Sequence, residues 1–451
     1  MKKYLISTAV SALVASGAAA GGLDRSNQSS LAVFNDPGEV TFSFGVVMPN
    51  ITGVDNTGTA TAGQTYDVSE SYTAIAGSVT GELGEVGTWT IIFDQPFGAD
   101  ILYDTNSATS QLGGTFADLG SNAITALGRY EISDQFSVFG GLRFQQAGGD
   151  VGLGGLAYAA GFASSSGAES LATALGAAAA GGSVEAQTLL GLDDVGTVLQ
   201  GVALDLESAA DATALATAAL GAGTVGAIQS ATLAGIGDLT AASAGGELYR
   251  AEIEDSWGTG FVLGAAYEIP DIALRLAVTY NSRISHSGDT VESGPAVDGT
   301  GVTEFDTPQS INLDFQTGIA ADTLLTASVR WAEWGSFDVI PPNLGSDLAN
   351  IDDSVRYTLG VARRFNEQLA GSISLSYEED AGSATVSPLG PNDGVLGLTV
   401  GMRYENEGTT ISGGINYTKL GDAFAGVGGQ PVALFEGNSA VGIGFQIATE
   451  F

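Results

Sequence analysis

The feature that most constrains the fold of this chain is a repeated alternation of apolar and polar residues. A side-chain period of two is that of a β-strand. The alternating segments are 89–94, 136–145, 272–283, 310–316, 325–331, 355–364, 396–405, 410–419 and 440–451. The longest have 10 to 12 residues, which exceeds an ordinary globular strand of about 5 to 6 residues and is enough for a tilted strand to cross a bilayer.

The two faces of these segments differ in chemistry. In 396–405 the even-numbered residues, from Leu396 to Tyr404, are apolar, whereas the odd-numbered ones include Arg403 and Glu405. A strand of a soluble sandwich buries its apolar face against a second sheet. Here the polar faces repeatedly carry Arg and aromatic residues lie near strand ends, as in an outer-membrane barrel whose apolar face meets lipid. Closure of such a barrel leaves no unpaired strand edge in the membrane.

Short and long connections alternate along the chain, which predicts the topology. Six short turns are expected at 81–87, 131–135, 268–272, 319–323, 364–368 and 406–408. Seven long loops are expected at about 50–66, 98–118, 149–248, 285–308, 335–354, 381–393 and 421–437. Together they join fourteen strands, and an even number returns both termini to the periplasmic side, where turns are short. We therefore predict an all-β fold, a transmembrane antiparallel β-barrel of about 14 strands over 39–451.

Both ends of the chain carry targeting features. Residues 1–20 combine a basic start, an apolar run and small residues at 18–20, a pattern typical of a cleaved signal peptide. The alternative, an anchor helix, needs about 20 apolar residues, and this run is shorter. The chain finishes on Phe451, which is similar to the aromatic end signal that the barrel assembly machinery recognises. We expect export to the outer membrane of a Gram-negative bacterium, in contact with outer-membrane lipid and lipopolysaccharide.

The composition excludes several classes of function. There are 51 acidic and 14 basic residues, a net charge of −37, whereas nucleic-acid binding requires a basic face. The absence of Cys excludes disulfides, Fe–S clusters and thiol catalysis. The single His, His286, is expected at the start of an outer loop, and no Gly-x-Ser-x-Gly occurs. We expect no cofactor, no metal and no enzymatic activity; an outer-membrane lipase or protease would depend on His286.

The loop at 149–248 differs from the rest of the chain. Ala and Leu are enriched in it and Gly interrupts the runs, which predicts a series of short helices. Its apolar content is too high for a disordered segment. We predict a helical outer-loop insertion that lies over the outer mouth of the barrel or folds partly into it. The alternative is a surface insertion with no role in transport.

Five stretches together carry a family resemblance. They are GGLDRSNQSSLAVFNDPGEV (21–40), FDQPFGADILYD (93–104), TPQSINLDFQTGIAADTLLTASVRWAEWGSF (307–337), SVRYTLGVARRFNEQLAGSISLSYEED (354–380) and SPLGPNDGVLGLTVGMRY (387–404). In this order they resemble the FadL-type long-chain fatty acid transporters of the outer membrane (OmpP1/FadL/TodX). The resemblance covers most of 21–148 and 249–451. It implies passive transport of hydrophobic compounds, long-chain fatty acids in particular, although relatives carry other hydrophobic compounds.

The resemblance also implies that residues 21–38 form a hatch, a segment that plugs the lumen. Its candidate residues are Asp24, Arg25, Asn35, Asp36 and Pro37. Arg25 either pairs with acids of the barrel or meets the substrate. Family hatches often contain Asn-Pro-Ala, whereas this chain has Asn-Asp-Pro-Gly at 35–38.

Pro96 and Gly98 are candidates for an opening in the barrel wall. Pro cannot donate a ladder hydrogen bond, so it marks an edge, a bulge or the end of a strand. The resemblance implies a kinked third strand with a lateral opening here. The residues by themselves favour a strand that simply ends at Pro96.

Five Arg residues on the polar faces of predicted strands are candidates to contact a ligand in the lumen. They are Arg143, Arg275, Arg330, Arg356 and Arg403. A guanidinium group binds a carboxylate through two hydrogen bonds, so these side chains suit the head group of a fatty acid or a contact with the hatch. For any single Arg, the favoured alternative is an ion pair with a lumen acid such as Asp314, Glu405 or Glu450.

For the whole protein, the alternative function is a general diffusion porin for small polar solutes. An N-terminal segment that plugs the lumen argues against a porin, because a porin needs an open channel.

Overall fold

The computed structural model describes residues 23–244, 246–349 and 351–450. The strands within these residues are β1 (Glu39–Asn50), β2 (Thr52–Asp55), β3 (Thr65–Asp67), β4 (Tyr72–Glu82), β5 (Gly87–Asp94), β6 (Gly98–Leu102), β7 (Phe116–Glu131), β8 (Phe136–Leu153), β9 (Tyr249–Ile269), β10 (Leu274–Asn281), β11 (Ile284–Ser293), β12 (Gly299–Thr307), β13 (Ser310–Ala320), β14 (Thr323–Ala332), β15 (Ser354–Arg364), β16 (Leu369–Glu378), β17 (Val395–Asn406), β18 (Thr409–Leu420), β19 (Ala423–Val427), β20 (Gln430–Phe435) and β21 (Ser439–Glu450). The predicted signal peptide, 1–20, and the terminal Phe451 lie outside the described residues.

Most of these strands form one closed antiparallel barrel. β5 with β6, β10 with β11, and β12 with β13 are each two parts of one interrupted strand, so the described residues form a fourteen-stranded barrel. Closure is made by β1 and β21, which pair from Glu39 opposite Glu450 to Asn50 opposite Ser439. The predicted fold class and strand number are confirmed. The four remaining strands, β2, β3, β19 and β20, form a small separate sheet among the outer loops.

Burial along the strands is the reverse of that in a soluble protein. In β17, Leu398 and Val400 are 40% and 51% exposed, whereas Thr399 between them is 6% exposed. Apolar side chains therefore point outward and small polar ones point into the lumen. A continuous apolar belt of this kind is stable against lipid and unfavourable in water.

The six predicted short turns all connect consecutive barrel strands. The predicted long loop at 285–308 was wrong, because β11 and β12 continue outward as a hairpin from the Ile284–Thr307 pair. Ser, Gly, Asp and Thr dominate this stretch, so the apolar alternation that marks the other strands is missing. His286 consequently lies within β11, where it is buried, and not at the start of a loop.

Five helices occupy the connection between β8 and β9 and confirm the predicted helical insertion. They are α1 (Leu156–Ala180), α2 (Val184–Leu190), α3 (Val195–Ala203), α4 (Ala210–Leu220) and α5 (Ala222–Ser243). They bury a core of their own that includes Leu171. The start of α1 is fixed to a neighbouring outer loop, since the Leu156 N–H donates to the Ser110 carbonyl at 3.0 Å. In the described part of the chain, no helix has the length and apolar character to span a membrane.

Candidate functional site

Residues 23–38, here called the hatch, lie inside the barrel. A short 3-10 helix, Leu31–Phe34, and two left-handed residues, Asn27 and Gln28, keep the segment compact. Left-handed backbone is uncommon outside Gly. The Asp24 carboxylate supports it by accepting the Asn27 N–H at 3.1 Å.

The hatch neutralises charge on the lumen wall. Arg330 and Arg356 are a cross-strand pair on β14 and β15, and each is 6% exposed. Like charges in this position repel each other. Asp24 accepts a hydrogen bond from Arg330 Nε at 2.6 Å, and Asn27 accepts one from Arg356 Nη1 at 3.3 Å. Glu378 of β16 completes the neutralisation by pairing with Arg356 at 3.0 Å.

The periplasmic end of the hatch is held by apolar contacts. Val33 is fully buried against lumen-facing side chains that include Leu127 and Phe139. The Phe34 ring packs edge-on against Phe139, with ring centroids 5.6 Å apart. The Arg275 guanidinium lies 4.2 Å above the Phe34 ring centroid, in a cation–π arrangement.

On the outer side of the hatch, apolar side chains fill the lumen. The loop that follows β14 folds back into the barrel and buries Trp334 and Phe337 against Phe97 and Phe305. Two adjoining cavities of about 140 Å³ and about 50 Å³ remain, both bordered by Leu23 of the hatch. We call this region the outer compartment.

On the inner side of the hatch the lumen is polar. A cavity of about 680 Å³ occupies the periplasmic end of the barrel. Ion pairs line it, among them Arg275 with Glu268 at 2.8 Å and Arg403 with Glu405 at 3.1 Å. We call this cavity the periplasmic vestibule.

The third barrel strand is interrupted where Pro96 bends it into the lumen. β5 ends at Asp94, and β6 resumes at Gly98 on the same neighbour, β7. The interpretation that the strand simply ends at Pro96 was therefore wrong. The bend is bonded to the hatch: the Arg25 N–H donates to the Pro96 carbonyl at 2.8 Å, and the Gly98 N–H donates to the Leu23 carbonyl at 2.9 Å. Pro suits this position because its carbonyl accepts the hydrogen bond from the hatch, and the N–H that Pro lacks is not required for strand pairing at the bend.

The five predicted Arg side chains face the lumen and divide by partner. Arg275 and Arg403 pair with vestibule acids, as the ion-pair alternative predicted, and Arg403 binds the expected Glu405. Arg330 and Arg356 contact the hatch. In the described residues no ion pair is formed by the other two expected acids, Asp314 and Glu450.

Arg143, the fifth, has no carboxylate partner in the described part of the chain. It is 1% exposed, and it donates to Thr125 at 2.8 Å and to Asn281 at 3.1 Å. Its Nη2 has no hydrogen-bond partner there, and neither amide atom of the fully buried Gln145 has one. Buried polar groups without partners are costly, and this pair keeps hydrogen-bonding capacity that the described residues do not use. Gln145 was not among the predicted residues, although it follows Arg143 at the strand period of two.

The predicted hatch residues have two different roles in the structure. Asp24 and Arg25 bond to the barrel wall. The others, Asn35, Asp36 and Pro37, form the turn that leads into β1 at the periplasmic end. No group of three or more His, Asp or Glu side chains within the described ranges has the arrangement of a metal site.

Comparison with known families agrees with this architecture. Residues 7–424 match the sequence profile described as outer membrane protein transport protein (OMPP1/FadL/TodX). The chain belongs to this family. The resemblance inferred from the five sequence stretches is thereby confirmed, and the barrel is that of an outer-membrane transport family for hydrophobic compounds.

Solved structures of OMPP1/FadL/TodX proteins share the fold. A Pseudomonas aeruginosa FadL homologue is 12% identical, with a TM-score of 0.61 over 97% of this chain and 98% of that chain. The Pseudomonas putida toluene transporter TodX is 12% identical, with a TM-score of 0.56 over 96% and 98% of the two chains. The Ralstonia pickettii toluene transporter TbuX is 14% identical, with a TM-score of 0.53 over 98% and 97%. Comparison with curated proteins gives no match.

Proposed function

We propose that this protein carries hydrophobic compounds passively across the outer membrane. The observation that carries the proposal is the division of the lumen into an apolar outer compartment and a polar vestibule, with the hatch between them. An apolar compound that enters the outer compartment gains roughly 25 cal/mol for each Å² removed from water. In the smaller cavity, which side chains such as Phe97, Ile253 and Trp334 line, a small polar solute would meet mainly apolar groups. This argues against a general diffusion porin.

The ligand class we propose is the long-chain fatty acid, with Arg143 as the anchor of its carboxylate. Arg143 and Gln145 lie on the lumen face of β8, inward of Ala147, which borders the smaller cavity. A carboxylate at this position would accept from the free Nη2 of Arg143, and the Gln145 amide offers a second donor. The hydrocarbon tail would lie in the outer compartment, between side chains such as Leu119 and Phe337.

A neutral hydrocarbon is the second candidate, and the charge at the larger cavity favours it. Asp352, Asp353 and Glu379 line this cavity, and no Lys or Arg of the described residues does. Acidic groups repel a fatty-acid carboxylate and leave a neutral ring unaffected. Two of the structurally similar proteins are named as toluene transporters.

We further propose that the ligand leaves sideways, through the barrel wall at Pro96 and Gly98. The hatch blocks the straight route with buried hydrogen bonds. The interruption between β5 and β6 removes ladder hydrogen bonds from the wall at the height of the outer compartment. A sideways exit delivers an apolar compound to lipid without a passage through the polar vestibule.

Ligand titrations in detergent test the function and separate the two ligand classes. Quenching of tryptophan fluorescence would report binding of oleate and of toluene, with Trp334→Phe to assign the signal. Arg143→Met should weaken oleate binding about tenfold, the size of a lost charge-assisted hydrogen bond, and leave toluene binding unchanged. Arg364→Met, at an exposed Arg that pairs with Asp322 at a periplasmic turn, is the matched control.

Uptake by cells that express the protein completes the test. Saturable oleate uptake with little flux of a labelled sugar is the expected result. Sugar flux without uptake of oleate or toluene would refute the proposed function. Equal loss of oleate and toluene binding in Arg143→Met would show that Arg143 supports the fold and does not anchor a carboxylate.

A further inference from the structure

Three polar side chains on the lumen side of β8, β9 and β11 keep buried atoms that form no hydrogen bond with the described residues. They are Gln145, Ser256 and His286. Gln145 is 0% exposed and His286 is 3% exposed. The atoms without a partner are both amide atoms of Gln145, Oγ of Ser256 and Nε2 of His286. We call these three residues the polar cluster.

Strand register brings the polar cluster together. In the ladder between β8 and β9, Gln145 lies opposite Gly258, and Ala147 lies opposite Ser256. A Cβ atom on Gly258 would stand 3.1 Å from Cε1 of His286. Gly258 therefore lets the edge of the imidazole ring approach β9 beside Gln145. The three side chains meet around Gly258, where β9 carries no side chain that would separate them.

The hydrogen bond of the His286 ring fixes which of its nitrogen atoms is free to accept. Nδ1 lies 3.2 Å from the Ser256 carbonyl oxygen, and Nε2 has no partner in the described part of the chain, so neither nitrogen contacts a carboxylate. A buried charge without a partner is costly, which favours the neutral ring. A carbonyl oxygen only accepts, so Nδ1 carries the proton and Nε2 is an acceptor.

The polar cluster adjoins the smaller cavity of the outer compartment. The His286 ring stacks on the Phe305 ring, with centroids 5.1 Å apart. Phe305 lines the smaller cavity, and so does Ala147, the cross-strand neighbour of Ser256. An apolar ligand in this cavity would therefore have the polar cluster beside it.

The free acceptors decide which ligand group fits the polar cluster. An ionised carboxylate only accepts hydrogen bonds, so it would leave Nε2 of His286 and Oε1 of Gln145 unused. A hydrocarbon would leave every free atom of the cluster without a partner, which is costly. A hydroxyl group can donate to Nε2 of His286 and accept from Nε2 of Gln145 at the same time.

We propose that the polar cluster binds the hydroxyl group of a hydrophobic alcohol or phenol, whose apolar part lies in the outer compartment. This inference adds a ligand class to the proposed function and rests on it. Phe97, Phe305 and Trp334 line the smaller cavity, and aromatic rings pack favourably edge to face. The ring of a phenol suits such walls, and its hydroxyl group supplies the donor that the free acceptors require.

Three ligands that differ only in their oxygen group test the proposal. 4-Ethylphenol donates and accepts, 4-ethylanisole only accepts, and ethylbenzene does neither. Isothermal titration calorimetry in one detergent would give the dissociation constants for the wild type and for each variant. His286→Phe, which keeps an aromatic ring against Phe305, should weaken 4-ethylphenol binding about fivefold, the effect of one neutral hydrogen bond. It should leave the binding of 4-ethylanisole and ethylbenzene unchanged.

A second variant and a matched control accompany His286→Phe. Gln145→Met removes the amide and should weaken 4-ethylphenol binding by a similar factor, which keeps the test valid if His286→Phe disturbs folding. Thr290→Val is the control, because Thr290 lies on the same face of β11 but its hydroxyl group already bonds to that of Thr303 at 2.7 Å. This control should bind all three ligands like the wild type. Partition of each ligand into detergent cancels in the ratio of variant to wild type.

The outcomes separate the polar cluster from the proposed function. A loss of binding for 4-ethylphenol and 1-decanol alike assigns the cluster to hydroxyl groups in general, and a loss for 4-ethylphenol alone assigns it to phenols. Equal effects on 4-ethylphenol, 4-ethylanisole and ethylbenzene in both variants, including no effect, would overturn the inference while transport of hydrophobic compounds stands. If the wild type binds none of these ligands and neither oleate nor toluene, the proposed function itself fails.

Discussion

The outer compartment and the periplasmic vestibule share one set of strands but differ in chemistry. β9 contributes Ile253 to the outer compartment and Glu268 to the vestibule. In the outer compartment, Trp334 is 1% exposed and packs on Phe97 with ring centroids 5.1 Å apart. The difference shows that strand alternation sets which residues face the lumen, while their position along the strand sets whether the lumen is apolar or polar there.

The two regions also differ in how they are filled. Chain segments fold into the outer compartment and leave cavities of about 140 and 50 Å³, whereas the vestibule retains about 680 Å³. Apolar surface inside a protein is stable when other side chains cover it or when water is absent, whereas charged side chains are stabilised by water and by ion pairs. The hatch is the boundary, with Leu23 on the outer side and Phe34 on the inner side.

The largest expected effect comes from a break in that boundary. Arg330→Met leaves Asp24 buried without its ion-pair partner, and removal of one member of a buried pair costs about 3–5 kcal/mol. We expect the hatch to leave the wall and single-channel conductance to rise. Arg364→Met, at an exposed pair worth about 0–1 kcal/mol, is the control. A closed channel in Arg330→Met would show that the other contacts of the hatch maintain the boundary.

A smaller effect is expected from a polar group placed in the outer compartment. Ile253 is 5% exposed and lines the smaller cavity, where its neighbours are mainly apolar. The amide of Ile253→Asn would lack a partner, at roughly 1–3 kcal/mol, and we expect oleate and toluene affinities to fall about tenfold. The matched change in the vestibule, Ala448→Ser, should leave both affinities unchanged. Fluorescence titration measures both, and equal effects of the two substitutions would contradict the division of the lumen.

The smallest effect concerns the small sheet above the outer compartment. Burial, and then the hydrogen bond to Asp55, raise the pKa of Tyr66 in β3. The folded pKa exceeds the unfolded value of about 10, so Tyr66 contributes stability that is present below pH 10 and is lost as the pH rises through the folded pKa. Near-UV circular dichroism melts between about pH 8 and 11 should show a steeper alkaline loss for the wild type than for Tyr66→Phe. Equal slopes would mean that folding does not raise the pKa of Tyr66.

Sequence reasoning succeeded where the signal was local. The period-two segments and the short turns predicted fourteen strands and a closed barrel, and the Ala- and Leu-rich loop predicted helices. The same reasoning missed the β11–β12 hairpin, because its small polar residues carry no apolar alternation. It also missed the inward fold of Trp334 and Phe337, since no sequence signal within 333–353 indicates whether the loop lies over the barrel or inside it.

The candidate site was predictable as a set of residues but not as a set of contacts. The alternation placed all five Arg side chains in the lumen, yet it could not distinguish Arg330, which binds the hatch, from Arg403, which binds Glu405. For Arg25, pairing with barrel acids was one of two open alternatives, and the structure supplies Asp100 as the partner. Gln145 was overlooked because its burial without a partner is visible only in the folded barrel.

The sequence by itself determined the number of barrel strands, the end of the barrel at which the short turns lie and the faces that meet lipid. These follow from side-chain period and turn spacing, which act within about ten residues. The tertiary structure alone decided which charges meet. Arg330 and Asp24 are 306 residues apart, and Arg25 and Asp100 are 75 apart. Such pairs exist only after the barrel has closed around the hatch, so the plug is a property of the folded protein.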